Sequence, residues 1–164
     1  MPDKPPKPLR EKPSAYGKAL GLLSRREHSQ RELKAKLSRG GYERDETATA
    51  IDALTTSEYQ SDSRFAELLA RSRVANGYGP RRIFAELKSH GVTDADIAAA
   101  IAAADCDWRD LARRQLERHY GRAAAKDPRE RARRAAFLLR RGFDAATVSA
   151  LVRAEIGDPG DGFD

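Results

Sequence analysis

Apolar residues recur at every third or fourth position from about residue 15 to residue 156. Strict alternation of apolar and polar residues, which is typical of a half-buried strand, is absent from this span. The observed spacing places the apolar side chains along one face of a helix. Because Ala, Arg, Leu and Glu also predominate and favour helices, the sequence predicts an all-α protein.

Glycines and prolines mark where the helices are expected to end and begin. Gly41, Gly91 and Gly142 each follow a periodic segment and fit the left-handed residue that closes a helix. Pro80 and Pro128 each fit the first position of a helix, where an N–H group is not needed. These signals predict nine helices, near residues 15–26, 29–39, 45–57, 62–76, 80–89, 94–104, 108–120, 128–140 and 145–156.

The helical pattern repeats along the chain with a period of about 50 residues. Residues 29–42 align with residues 79–92, and a third, weaker copy ends in FLLRRGF. The third copy is weaker because Arg134 stands where the second copy has Ile83. The period predicts tandem three-helix repeats. The expected divisions are a disordered Pro-rich arm (1–14), repeat 1 (15–60), repeat 2 (61–107), a basic repeat 3 (108–156) and an acidic flexible tail (157–164).

Charge is concentrated in the third repeat. The whole chain carries a formal charge of +6, whereas residues 108–156 alone hold thirteen basic and six acidic residues, a net charge of +7. This excess is larger than solubility requires, so it favours a polyanionic partner. No apolar run approaches the roughly 18 residues of a membrane helix or resembles a signal peptide. With Cys106 as the single cysteine, we expect a cytoplasmic protein that does not cross a membrane.

The residues that could support catalysis are scattered. His28, His90 and His119 are isolated in the sequence, and none forms a metal-ligand pair with Cys106. Cys106 lies between two aspartates, whose charge disfavours a reactive thiolate. The stretch GYGP lacks the glycine spacing and the terminal Lys-Ser/Thr of a phosphate-binding loop. We therefore expect no enzyme activity, no metal and no cofactor.

Three separately spaced motifs carry a family resemblance. The stretch from residue 59 to residue 92 contains DSRFA, GYGP, a following Ile83, the pair EL and Gly91 in the order and spacing of the RecX signature. RREHSQRELKAKL, residues 25–37, resembles the first module of that family, and FLLRRGF resembles the third. The resemblance covers roughly residues 15–156. Gln60 departs from it, because an apolar residue is expected there.

The RecX family comprises bacterial regulators of the RecA recombinase, and the resemblance implies both a fold and a function. The implied fold is three tandem three-helix repeats that form an elongated, curved body. The implied function is negative regulation in recombination, DNA repair and the SOS response. Such a protein binds in the groove of the RecA–DNA filament and limits filament extension, ATPase, strand exchange and co-protease activity. The implied partners are the RecA filament and the single- or double-stranded DNA within it, and we expect a monomer.

Seven residues are candidates for contact with RecA or DNA. In repeat 2 they follow from the stretch YGPRRI, where arginines near a helix N-terminus could hold phosphate or an acidic protein surface. A solvated helix face is the alternative interpretation of the same arginines. An exposed tyrosine would add an aromatic anchor. With the basic positions of repeat 3, the candidates are Tyr78, Arg81, Arg82, Arg113, Arg114, Arg140 and Arg141.

Two other functions are compatible with short helical repeats. An autonomous DNA-binding protein would use its helix triads as helix-turn-helix readers, and a structural adaptor would only bridge other proteins. The first would place positive charge on each recognition helix, yet residues 61–107 carry a net charge of −1. The charge distribution therefore disfavours the autonomous DNA-binding protein, whereas activity on RecA would exclude the structural adaptor.

Overall fold

The computed structural model describes residues 10–155. Within this range the backbone forms nine α-helices and no strand, so the all-α prediction is confirmed. Most of the predicted Pro-rich arm and all of the predicted acidic tail lie outside the described residues. The helices are α1 (Ala15–Leu23), α2 (Gln30–Arg39), α3 (Arg44–Thr56), α4 (Asp62–Ala75), α5 (Pro80–Ser89), α6 (Asp94–Ala103), α7 (Trp108–Tyr120), α8 (Pro128–Arg141) and α9 (Ala145–Ala154).

Helix α1 ends three residues earlier than the sequence predicts. The N–H groups of Arg25 and Arg26 both donate to the carbonyl of Leu22, at 3.1 and 3.4 Å, which closes a tight turn. No glycine or proline marks this end, so the apolar spacing alone extends the prediction too far. The other predicted boundaries agree with the structure to within two residues.

Three helices end at the glycines that the sequence identifies. Gly41, Gly91 and Gly142 have φ angles of 79°, 76° and 95°, in the left-handed region. The N–H of the residue after each glycine donates at 3.2 Å to the carbonyl five residues earlier, in the pairs Tyr42–Leu37, Val92–Leu87 and Phe143–Leu138. These bonds satisfy carbonyls that the helix itself leaves unpaired and fold the chain back on the helix.

The nine described helices form three sequential groups, which we call the first (α1–α3), second (α4–α6) and third (α7–α9) triads. Each triad encloses its own apolar core. The first triad belongs to a compact unit that ends at Ser61, and the other two triads together form a unit that begins at Asp62. Val74 and Trp108 pack against the cores of both the second and the third triad. The helical spacing of Phe65, Leu68 and Leu69 in the sequence predicts that all three are core residues, but Leu68 is 47% exposed, so the prediction is wrong for Leu68.

Gln60 replaces an expected apolar residue and is nevertheless only 1% exposed. Its side-chain oxygen accepts a hydrogen bond from the Thr55 hydroxyl at 2.9 Å, and its amide donates to the carbonyl of His28 at 3.3 Å. A buried amide with both ends bonded avoids the penalty of an unpaired polar group. The departure from the family pattern is therefore accommodated within the first unit.

Arg134 is the second exception to an apolar pattern, and it is only 2% exposed. Its guanidinium donates to Glu130 at 2.9 Å, to Glu155 at 2.7 Å and to the carbonyl of Ala123 at 3.0 Å. The ring of Tyr120 lies 5.1 Å from the guanidinium carbon. Burial alone would lower the pKa of Arg134, but its bonds to the two glutamates outweigh this effect and raise the pKa. The position aligned with Ile83 is therefore an inward-facing position in both triads.

Candidate interaction surface

The start of α5 meets the end of α8 through direct backbone contact. The N–H of Gly79 donates to the carbonyl of Arg141 at 2.8 Å, and the N–H of Arg81 donates to the carbonyl of Gly142 at 3.0 Å. A Cβ atom at Gly79 would overlap the backbone of Gly142, and one at Gly142 would overlap Arg82. Two glycines are therefore required for the two segments to approach this closely. We call this the Gly79–Gly142 contact.

Tyr78 lies between two arginines at the same place. Its ring centre is 4.2 Å from the guanidinium carbon of Arg82 and 4.5 Å from that of Arg141. Such distances give cation–π attraction between the ring and both guanidinium groups. Arg141 also donates to the carbonyl of Asn76 at 3.0 Å and to the side chain of Gln115 at 2.8 Å. We call Arg82, Tyr78 and Arg141 the arginine–tyrosine stack. Tyr78, expected to be exposed, is half-buried in it.

The backbone contact changes the electrostatic argument for α5. The sequence suggests that the α5 N-terminus, with its partial positive charge, could hold an anion. In the structure, two N–H groups there donate to carbonyls at the end of α8. The positive end of one helix thus meets the negative end of another. An anion at this surface would be held mainly by arginine side chains.

Three of the candidate arginines beside this contact are exposed to solvent. Arg81 and Arg140 are exposed, and neither makes an ion pair within residues 10–155. The pKa of Asp144 is lowered mainly by the hydrogen bond from the Thr147 N–H, and the positive charge of Arg81 adds to this effect. Arg82 is also exposed, although its guanidinium packs on Tyr78. Five of the seven predicted residues therefore lie at or next to the Gly79–Gly142 contact.

The remaining two candidates, Arg113 and Arg114, pair with acidic residues of their own helix. Arg113 contacts Asp110 at 2.5 Å and Glu117 at 2.7 Å, and Arg114 contacts Asp110 at 3.0 Å. The hydrogen bond from Arg113 is the largest of the effects that lower the pKa of Asp110. These exposed arginines are thus locally compensated, which weakens their attraction for an external anion.

Glu86 has a different partner from the one its sequence position suggests. Spacing on α5 favours a pair with Arg82, but Glu86 bonds to Arg73 of α4 at 2.7 and 2.5 Å. These hydrogen bonds from Arg73 are the main reason why the pKa of Glu86 is lowered. The pair joins two helices of the second triad and leaves Arg82 available for Tyr78.

Sequence reasoning misses several residues at this surface. Gly77 has a φ of 79°, and a Cβ there would overlap the side chain of Gln115. Phe84 is 39% exposed and lines a shallow apolar groove with Arg81. The unusual spacing of glycines around Tyr78 is a visible signal of close packing. Nothing in the sequence indicates that Gln115, 37 residues after Tyr78, is part of the same surface.

Candidate chemistry elsewhere in the described residues is limited. Burial is the main cause that raises the pKa of Cys106, and the charges of Asp107 and Asp110 act in the same direction. Within residues 10–155, no cluster of His, Cys, Asp or Glu has the arrangement of a metal site. No helix in that range is both long and apolar enough to span a membrane.

Three sequential triads, each with its own core and a structured contact between the last two, define a tandem three-helix-repeat protein. Each triad also matches a family description. The first, second and third three-helix domains of RecX match residues 15–54, 61–101 and 106–152. The chain therefore belongs to the RecX family.

Curated relatives agree with this assignment. A protein of Xanthomonas axonopodis pv. citri (strain 306), named regulatory protein RecX, is 43% identical over 141 residues, which cover 86% of this chain and 87% of that protein. A protein of Stenotrophomonas maltophilia (strain K279a) with the same name is 44% identical over 141 residues, 86% of each chain. The crystal structure of RecX from Lactobacillus salivarius shares the fold, with a TM-score of 0.72 and 20% identity, over 87% of this chain and 94% of that one.

Proposed function

We propose that this protein is a non-catalytic negative regulator of the RecA recombinase. It binds in the groove of the RecA–DNA filament and limits filament extension, ATPase, strand exchange and co-protease activity. The observation that supports this most directly is the group of exposed arginines beside the Gly79–Gly142 contact, in a chain whose curated relatives are named regulatory proteins. Regulation of this kind requires only binding, so no catalytic group is needed.

The chemistry of the surface fits an anionic partner. Arg81 and Arg140 are exposed and make no ion pair within the described part of the chain, so their donors are available. A guanidinium binds carboxylate and phosphate with paired hydrogen bonds, each contributing about 1.5–3 kcal/mol. The net charge of +7 over residues 108–156 adds longer-range attraction. The proposed partners are therefore acidic RecA surface and DNA phosphate within the filament.

A titration of RecA ATPase tests the proposal. DNA-dependent ATP hydrolysis by the cognate RecA is measured while this protein is added at ratios well below one per RecA subunit. We expect inhibition at these low ratios, because a bound regulator that limits extension affects more than one subunit. An unchanged rate at equimolar protein would overturn the proposed function.

The arginine contribution is tested with a double substitution. Arg81→Ala with Arg140→Ala should raise the inhibitory concentration at least tenfold, because about 1.4 kcal/mol of binding energy is a factor of ten. The matched control is Arg44→Ala with Arg153→Ala, which removes the same charge from exposed positions on α3 and α9. Equal effects of the two pairs would show that only total charge matters.

Salt dependence separates the two kinds of partner. If the arginines bind DNA phosphate, the double variant should show a shallower dependence of DNA affinity on salt, by about 0.9 in slope for each phosphate that is no longer neutralised. If they bind RecA, inhibition should weaken while the DNA slope stays unchanged. Sequence-specific DNA binding without RecA would instead favour the autonomous DNA-binding function.

A further inference from the structure

We infer that the Gly79–Gly142 contact and the arginine–tyrosine stack lock the second and third triads into one rigid body. In this arrangement Arg141 is a positioning residue, not a residue that contacts the partner. The inference about rigidity concerns this chain alone. Its consequence for regulation rests on the proposed function.

The backbone geometry is the first argument. Two hydrogen bonds, at 2.8 and 3.0 Å, connect successive residues at the end of α8 to the start of α5. Both donors and both acceptors belong to the main chain, so rotation of a side chain cannot release them. Gly79 and Gly142 are buried, and the missing Cβ atoms leave no gap between the two segments. The contact therefore fixes both the distance and the direction of approach.

The side chains around Arg141 are the second argument. The guanidinium connects α8 with two other segments, since it bonds to the carbonyl of Asn76 and lies over the ring of Tyr78 between α4 and α5, and it also bonds to Gln115 of α7. Its Nε atom is buried and has no hydrogen-bond partner, so this N–H group is not accessible to a binding partner. Arg140, the preceding residue, is exposed and makes none of these contacts. Neighbouring arginines of the same helix thus differ in role.

Shared core residues are the third argument. Val74 near the end of α4 and Trp108 at the start of α7 each pack against both apolar cores. Domains joined only by a polar, exposed linker are expected to move relative to each other. Here apolar packing, backbone hydrogen bonds and stacking act on the same pair of triads. We therefore expect one fixed arrangement of the second triad relative to the third.

This rigidity has a consequence for binding. Arg81 is the second residue of α5 and Arg140 lies near the end of α8, so a fixed contact between those helices keeps the two arginines at a constant distance and orientation. A surface that is already ordered loses less conformational freedom when it binds. Removal of the Arg141 side chain should therefore weaken inhibition indirectly, by disordering this surface, even though its Nη2 group is already bonded within the protein.

Distance measurement between spin labels tests the rigidity directly. Cys106→Ala removes the only native cysteine, and Ala99→Cys on α6 with Ser149→Cys on α9 supplies two exposed labelling positions in different triads. We expect a single narrow distance distribution in the full-length protein. Arg141→Ala and, separately, Tyr78→Leu should broaden it at least twofold. Tyr78→Phe retains the ring and should leave it narrow, as should the matched control Arg140→Ala.

Circular dichroism and one further variant test whether unfolding causes the broadening. Gln115→Ala removes one bond to Arg141 and leaves the stack, so it should broaden the distribution less than Arg141→Ala at equal helicity. An unchanged width in both Arg141→Ala and Tyr78→Leu would overturn the inference. A broad distribution in the unsubstituted background would also overturn it.

The RecA assay then separates this inference from the proposed function. We expect Arg140→Ala to raise the inhibitory concentration with no change in label distance. Arg141→Ala should raise it by at least threefold together with broadening. Failure of the parent to inhibit RecA would remove the proposed function and leave the distance result intact. Inhibition by Arg141→Ala at the parent concentration, with a broadened distribution, would overturn the positioning role.

Discussion

The second and third triads place opposite kinds of residue at one equivalent position. Ile83 is fully buried in the apolar core of the second triad. Arg134 takes the aligned position in the third triad and is only 2% exposed, with Glu130 and Glu155 as its partners. The helix arrangement is the same in both triads, so this buried position can hold either an aliphatic side chain or an ion-paired arginine.

The stabilising contributions of the aliphatic side chain and of the ion-paired arginine depend differently on neighbouring residues. An aliphatic side chain contributes through burial, and its removal leaves a cavity. A buried guanidinium is stabilising only while its carboxylate partners remain, because desolvation opposes it. The third triad therefore concentrates more of its stability in a few interactions than the second does. The predictions that follow would break or sharpen this difference.

The largest expected effect is that of Arg134→Ala. It removes a long side chain from a buried site and leaves the partly exposed carboxylates of Glu130 and Glu155 without their partner, so we expect a loss of unfolding free energy near the lower end of the range of about 3–5 kcal/mol that breaking a fully buried pair costs. Urea denaturation followed by the fluorescence of Trp108, the only tryptophan, measures the change. Arg133→Ala, an exposed neighbour, is the control and should change stability by less than about 0.5 kcal/mol. A decrease below about 1 kcal/mol for Arg134→Ala would mean that the pair behaves like an exposed one.

Ile83→Ala provides the matched value for the second triad. Deletion of a buried aliphatic side chain costs about 2–5 kcal/mol, depending on how far the site collapses. The same denaturation experiment applies, because Trp108 packs against both cores. The loss of stability at position 134, unlike that at position 83, should depend on whether the acidic partners are replaced as well. Arg134→Leu with Glu130→Gln and Glu155→Gln should recover part of the stability that Arg134→Ala removes, since it fills the buried site with an apolar side chain and leaves no carboxylate without a partner.

A smaller effect is expected in acid. The pKa of Glu130 is lowered mainly by the hydrogen bond from the Lys126 N–H and next by that from Arg134, and Arg73 lowers the pKa of Glu86. A lowered folded-state pKa stabilises the protein above the unfolded value of about 4.3, and the contribution disappears as pH falls through the folded pKa. Glu86→Gln and Glu130→Gln should each flatten the decline of unfolding free energy below about pH 4. A decline as steep as that of the parent in both variants would contradict this assignment.

The smallest effect is expected for Arg81→Ala. Its side chain is exposed and makes no ion pair within the described residues, and alanine is a good helix former, so stability should change by less than about 0.5 kcal/mol. Thermal and urea unfolding measure this change. A decrease above about 1 kcal/mol would show that Arg81 stabilises the fold and would weaken its assignment as a partner-contact residue.

Local signals make most of the helix boundaries predictable. Glycine, proline and capping residues act within a few positions, so α5 is predicted to the residue, and α8 to within one. The end of α1 is predicted poorly because a simple turn closes it without such a residue. Leu68 is misplaced because helical spacing identifies an apolar stripe but not its edges.

The candidate surface is predictable only in part, because its interacting residues are distant in sequence. Tyr78 and Arg82 are only four residues apart around the start of α5, so their contact is local in sequence. Arg141, 63 residues after Tyr78, reaches the same ring through tertiary packing. Likewise, nothing in the spacing links Arg134 with Glu155, or Glu86 with Arg73. The sequence indicates which arginines to consider, whereas the fold separates those that face inward from those that face solvent.

Gly142 carries two independent requirements, and this affects which sequences the family fold can tolerate. Its φ of 95° is left-handed, and any Cβ there would overlap Arg82 of the neighbouring triad. Gly41 has a similar φ of 79°, but a Cβ there would meet only the Lys12 ammonium at 3.4 Å. Asparagine, which tolerates the left-handed region, is thus an acceptable replacement at position 41 and not at position 142. In a saturation library selected for folded protein, position 142 should retain glycine alone, while position 41 should admit a small set of residues.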